Sequence, residues 1–175
     1  MELLAGLEAP WDATRIFQVD ERIAPAGSPH RNLTQLIAAL PLSLQAHLRP
    51  MPVTAPELEP AVAAYEAELP ERIDVVHLGL GDDGHTASLV PGDPVLEVTD
   101  RRVALTAEPY QGFRRMTLTY PALDDARLAL WLVTGKSKRE PLAKLLDGDE
   151  SIPAGRVRAG EMVVVADEAA AGDRG

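Results

Sequence analysis

Three short aliphatic runs constrain this chain most: residues 73–78 (IDVVHL), 127–134 (RLALWLVT) and 162–166 (MVVVA). Their length and aliphatic content read as strands, the first two buried within a sheet and the third the last strand. Shorter strands are expected at 14–19 (TRIFQV), 102–106 and 116–119. Between them lie helical patterns. Leu33, Leu36, Ile37 and Leu40 recur at the i, i+3, i+4, i+7 spacing of an amphipathic helix over 31–40. A second helix over 60–69 places Val62, Tyr65 and Leu69 on one face, with Pro60 tolerated at its first position. A third follows residue 134, with Leu142, Leu145 and Leu146 facing inward and Gly148 as its stop. A short last helix begins at DEAAA. Strands alternating with helices imply an α/β fold, a mostly parallel sheet with helices on its faces. Ligands bind such sheets beyond the carboxyl ends of the strands. The polar residues after 14–19, 73–78 and 127–134 are therefore the ones to examine.

The 175 residues suit one domain, and a hydrophobic fraction of 46% suffices for a core. Aromatics are only 4%, so that core is aliphatic. Having no cysteine, the chain can form neither disulfides nor thiolate metal sites. No apolar stretch reaches the ~18 residues of a membrane span. The opening MELLAGLEAPWD lacks the basic start and long apolar run of a signal peptide, so a cytoplasmic protein is expected. The net charge of −10 disfavours nucleic acid, whose backbone needs a basic surface. A phosphorylated substrate would need a local cluster of Arg and Lys against that overall field.

The stretch HLGLGDDGHTASLVPGDP follows the 73–78 strand. Gly79, Gly81 and Gly84 satisfy G-x-G-x-x-G, but a dinucleotide site is rejected. Asp82 and Asp83 would repel a pyrophosphate, and Pro91 limits any following helix to about two turns. The glycines instead suit a loop whose backbone approaches a substrate closely and displays Asp83 and His85. A histidine beside a carboxylate is a general base held in one tautomer. The bland reading, His85 as a helix cap and Asp83 as a turn residue, stays open. His77 reads as a core or sheet-face residue, and His30 and His47 as surface residues. The four histidines lack metal-ligand spacing, so neither a metal nor a cofactor is expected.

After the 14–19 strand, Asp20 and Arg22 can face one pocket, with Arg22 offering a bidentate fork to phosphate. A solvated charge cluster is the competing reading of Asp20-Glu21-Arg22. After the 127–134 strand, Gly135-Lys136-Ser137-Lys138 opens a helix, and its N–H groups with Lys138 would make an anion site. The first glycine of a P-loop is missing, which disfavours an ATPase. Arg114 and Arg115 precede MTLT, and one of them can join the cations.

These motifs resemble those of the 6-phosphogluconolactonases. GLGDDGHTASLVPG is similar to that family's glycine-aspartate-glycine-histidine signature. VDERIAP with Asn32, RMTLTYPAL, TGKSK and SIPAGRV occur in the family's order, from about Trp11 to Ala171. The related glucosamine-6-phosphate deaminases continue the Asp-Gly-His element with an aromatic residue and Asn-Glu-Pro, where this chain has Thr86-Ala87-Ser88-Leu89. The resemblance implies a three-layer Rossmann-like sugar-phosphate isomerase/lactonase fold and hydrolysis of 6-phospho-D-glucono-1,5-lactone. It implies His85 as general base, Asp83 orienting it, and Asp20 holding substrate hydroxyls or the water. Arg22 and Lys138 would grip the phosphate, helped by Arg115 and Asn32. The implied partner is the small sugar phosphate, with no nucleic acid or membrane, and the implied state is a monomer or homodimer. A deaminase-like isomerase and a non-catalytic sugar-phosphate-binding fragment are the alternatives.

Two departures from the family carry expectations. Members normally begin well before the point matching Met1, with strands and a Gly-Gly-Ser/Thr phosphate loop. Residues 1–175 are therefore expected to form a single domain without those strands and that loop, exposing apolar edges. Pro141, early in the helix after Lys138, is expected to kink it and shift Lys138.

Overall fold

The computed structural model describes residues 10–172. Its strands are β1 (Ile16–Phe17), β2 (Asp20–Arg22), β3 (Leu48–Arg49), β4 (Val75–Leu78), β5 (Val103–Leu105), β6 (Arg115–Leu118), β7 (Leu128–Val133) and β8 (Glu161–Ala166). Its α-helices are α1 (Asn32–Ala39), α2 (Leu42–Gln45), α3 (Leu58–Glu68), α4 (Tyr120–Asp124), α5 (Arg139–Leu146) and α6 (Glu168–Ala171). The strands β4, β7 and β8 form a parallel sheet in the order β4-β7-β8, and β1 pairs with β3, also parallel. The strand β6 lies between β2 and β5, antiparallel to both. The α/β class and the mostly parallel pairing are as the sequence leads one to expect.

The three aliphatic runs account for the parallel sheet. Alternate residues Val76, Leu78, Ala129, Trp131 and Val133 point into the main core, each 2% exposed or less. There they join Val62 and Tyr65 of α3, Leu142 and Leu145 of α5, and Val103, Met116 and Leu118 of the antiparallel strands. The opposite face is open to solvent. Val75 is 55% exposed, Leu132 45% and Val165 52%. The 73–78 run is thus a half-exposed strand rather than a fully buried one, and His77 sits on its exposed face. Among the described residues, no helix is long and apolar enough to cross a membrane.

Several local expectations are corrected. The single strand read at 14–19 is two strands, which turn at Gln18 and Val19 to join different partners. The Tyr65 hydroxyl fixes that turn, accepting the Gln18 N–H at 2.8 Å and donating to the Gln18 carbonyl at 3.0 Å. Helix α3 starts at Leu58, so Pro60 occupies its third position rather than its first. Pro141 is likewise the third residue of α5, which runs through it unbroken. The first four N–H groups of a helix have no internal acceptor, so Pro141 costs no bond and the expected kink does not arise. Ile37 (42% exposed) and Leu146 (53%) face solvent instead of the core, because α1 and α5 present narrower stripes than the spacing suggested.

Helix α1 is held from an unexpected quarter. Its first turn contains no acidic residue, and the side chain of its N-cap, Arg31, makes no capping bond. Glu21, fully buried at the centre of β2, serves instead. Its carboxylate accepts the N–H groups of Asn32 (2.8 Å) and Leu33 (2.9 Å) and pairs with the Arg31 guanidinium at 3.3 Å. A carboxylate there satisfies orphan donors and complements the positive end of the helix.

Candidate active site

Residues alternate sides along a strand. Asp20 and Arg22 therefore share one face of β2, while Glu21 turns to the other. The register sets Asp20 opposite Thr117 and Arg22 opposite Arg115 on β6. Asp20 is not a solvated charge, since its side chain is only 12% exposed. It accepts from Asn32 Nδ2 (3.0 Å) and from Ser88 Oγ (2.7 Å), and lies 3.7 Å from Arg115 Nη1. Burial pushes its pKa above the ordinary carboxylate value, outweighing Ser88 and Arg115, which act to lower it.

The loop after β4 brings the second group. Gly81 N–H bonds the His85 carbonyl at 2.8 Å, and Thr86 Oγ1 donates to the Gly79 carbonyl at 2.9 Å, folding the loop back on itself. No helix follows His85. A tight turn closes at Thr86 and Leu89, so His85 is not the helix cap of the bland reading. The Ser88 N–H reaches Thr117 Oγ1 at 3.1 Å, tying the loop to β6. His85 Nδ1 stands 2.6 Å from Asp83 Oδ1, which also accepts the His85 backbone N–H at 3.1 Å. Burial acts to raise the Asp83 pKa, but the His85 ring and backbone donors and Tyr110 outweigh it and hold it below the ordinary value. An ionised Asp83 can only accept, so Nδ1 carries a proton, and the neutral imidazole then has its lone pair on Nε2.

The loop glycines differ in what they do. A Cβ on Gly81 would fall on the His85 ring and 2.6 Å from Asp83 Oδ1. Gly84 combines a φ of +81° with Ile152 packed against the place a Cβ would take. Gly79 has open space around it and serves through its carbonyl.

The carboxyl ends of the neighbouring parallel strands β4 and β7 bring their loops together. Asp82 accepts from both Ser137 Oγ (3.1 Å) and Lys138 Nζ. Hydrogen bonds from Lys138 and Ser137 lower the Asp82 pKa. The Gly135 N–H is bound to the Asp167 carboxylate at 3.0 Å. Gly135 N–H and the Lys138 ammonium, two of the expected anion donors at this loop, are thus held by carboxylates of the chain itself.

Asp20, Asn32 and Arg115 thus converge with Asp83 and His85, and Lys138 adjoins them through Asp82. Arg22 faces the same side as Arg115, but its guanidinium donates to the His30 carbonyl at 2.7 Å. Of the arginine pair, Arg115 is buried at 4% exposure and Arg114 turns outward. Ser88, Tyr110 and Asp82 are site neighbours that sequence reasoning did not single out for these places. Ser88 lies within a motif already noted, whereas nothing local marks Tyr110. Among the described residues, no group of three or more His, Asp or Glu side chains could hold a metal ion.

The sequence profile of the glucosamine-6-phosphate isomerases/6-phosphogluconolactonase family matches residues 1–166. The chain belongs to this family. It is 36% identical over 159 residues to the 6-phosphogluconolactonase of Synechocystis, a match covering 82% of this chain and 65% of that protein. It is 35% identical over 144 residues to the human GDH/6PGL endoplasmic bifunctional protein, covering 75% of this chain and 18% of that one. The chain therefore spans less than two thirds of these relatives. The crystal structure of 6-phosphogluconolactonase from Thermotoga maritima superposes with a TM-score of 0.83 at 30% identity, covering 94% of this chain and 78% of that one. The expected isomerase/lactonase fold is therefore the one this family member adopts.

Proposed function

We propose that this site hydrolyses 6-phospho-D-glucono-1,5-lactone to 6-phospho-D-gluconate, a carboxylic ester hydrolysis of the oxidative pentose phosphate pathway. The observation that carries the reading is the His85–Asp83 pair at 2.6 Å, networked to Asp20 and Arg115. His85 Nε2 takes a proton from water as the water oxygen attacks the lactone C1. The C1–ring-oxygen bond then breaks, and the proton passes from Nε2 to the leaving ring oxygen. The new carboxylic acid releases its own proton to solvent. Asp83 holds the imidazole and stabilises its charged form. Asp20, with Asn32 and Ser88, orients substrate hydroxyls or the water. Lys138, Arg22 and Arg115 bind the phosphate, whose remote binding positions C1. A cytoplasmic location belongs to the same proposal.

The test is acid release from the lactone at constant pH, with the uncatalysed rate subtracted. The protein accelerates release, and His85→Ala loses at least about 10²-fold in kcat. A substitution without effect on the rate would refute His85 as the base. Thermal stabilisation by 6-phosphogluconate without any turnover would favour a non-catalytic sugar-phosphate binder instead.

A further inference from the structure

We propose that Tyr110, carried on the hairpin between β5 and β6, is a positioning residue. It fixes the Asp83 carboxylate against His85 and stacks under the Arg115 guanidinium. This rests on the lactonase reading for its catalytic consequence, though not for its geometry. The Tyr110 hydroxyl donates to Asp83 Oδ2 at 3.1 Å, while Oδ1 of the same carboxylate receives His85 Nδ1. The Tyr110 ring meets the His85 ring edge-on, with centroids 5.2 Å apart. The Arg115 guanidinium lies over the Tyr110 ring, 5.3 Å from its centroid, and Arg115 Nη2 donates to the Tyr110 carbonyl at 3.2 Å. One residue thus touches the base, its orienting carboxylate and a proposed phosphate ligand.

The hairpin is built to hold it there. Tyr110 and Phe113 close a two-residue turn with N–H···O bonds of 3.0 and 3.3 Å. Gln111 and Gly112 both have positive φ, at 51° and 85°, the left-handed conformation that tight hairpins use. The buried Asp93 carboxylate accepts the N–H groups of Ala107 (3.2 Å) and Glu108 (3.1 Å), anchoring the segment that leads from β5 into the turn. The Asp83 side chain is 38% exposed and would otherwise turn freely about its carboxyl axis. With one oxygen bound to His85 and the other to Tyr110, the carboxylate plane is set. The imidazole is then held with its proton on Nδ1 and Nε2 open.

Two variants separate the two contacts. Tyr110→Phe keeps the ring under Arg115 and removes only the hydroxyl. It lowers kcat about three- to tenfold, the worth of one ordinary, partly exposed hydrogen bond, and leaves KM unchanged. Tyr110→Ala also removes the ring, so kcat falls further and KM rises. The readout that needs no turnover is the imidazole ¹⁵N spectrum of His85. The wild type shows the Nδ1–H tautomer, and Tyr110→Phe shifts the population toward Nε2–H. An unchanged His85 tautomer in Tyr110→Phe overturns the proposal, and so does an equal loss of kcat and KM effects in both variants. A tautomer shift in a chain that shows no lactone turnover upholds the positioning role and removes the lactonase reading alone.

Discussion

At the level of single residues, the site depends on how closely the backbone of the β4 loop approaches its own side chains. Gly81 has no left-handed backbone, so its conformation does not demand glycine. Space does, because the His85 ring and the Asp83 carboxylate occupy the room a side chain would need. Gly81→Ala should therefore behave like a lesion of the proposed base, His85. We expect kcat to fall by about 10² or more, the scale of a lost general base. The melting temperature should change little, since the displaced atoms are partly exposed side chains. Steady-state rates and thermal melts of the same preparation test both halves. The histidine and the carboxylate were legible from the motif, whereas the reason for the glycine just before them was not. It depends on a ring folding back over the loop, which no spacing rule encodes. Tyr110 was hidden for the same reason, as its 27-residue separation from Asp83 closes only once the hairpin is formed.

Among the elements, α1 shows how a helix can take its cap from a strand. Glu21 sits in β2, between two residues that face the site, and its carboxylate holds the start of α1 from the other side. This fixes Asn32, the first residue of α1, where its side chain reaches Asp20. Glu21→Ala would strand the buried Arg31 guanidinium and two helix N–H groups. Breaking a buried pair in this way costs about 3–5 kcal/mol. Denaturant unfolding should show a loss of that size. A loss under about 1 kcal/mol would mean that the cap is not what orders α1. The parallel strands were readable because a strand with a buried side has little room for polar residues. The turn at Gln18 and Val19 was not, because a 65th-residue tyrosine directs it and the local sequence continues smoothly. Ile37 and Leu146 misled for a related reason: helical spacing reveals a stripe but not its width.

Across the whole molecule, the two faces of the β4-β7-β8 sheet differ sharply. Trp131 on the inner face is fully buried, while Leu132 beside it is 45% exposed and Val163 is 43% exposed. Parallel sheets are ordinarily covered on both faces, whereas this one exposes Val75, Leu132, Val163 and Val165 on one side. Trp131→Ala should cost about 3–5 kcal/mol, as removal of a large core ring does. Leu132→Thr and Val163→Thr should each stay within about 0.5 kcal/mol of the parent, as surface changes do. Chemical denaturation of the three variants makes the comparison. A large loss for either threonine variant would mean that this face is packed in solution.

The claim on which the chemistry depends is that the His85 imidazole and the cations proposed to bind phosphate serve one substrate. Titrating 6-phosphogluconate into protein with ¹⁵N-labelled histidine tests it directly. The His85 ring signals should shift saturably while those of His47 and His77 stay in place, and Lys138→Ala should weaken the response. Saturable binding that leaves the His85 ring unmoved would place the sugar phosphate elsewhere and contradict the site described above.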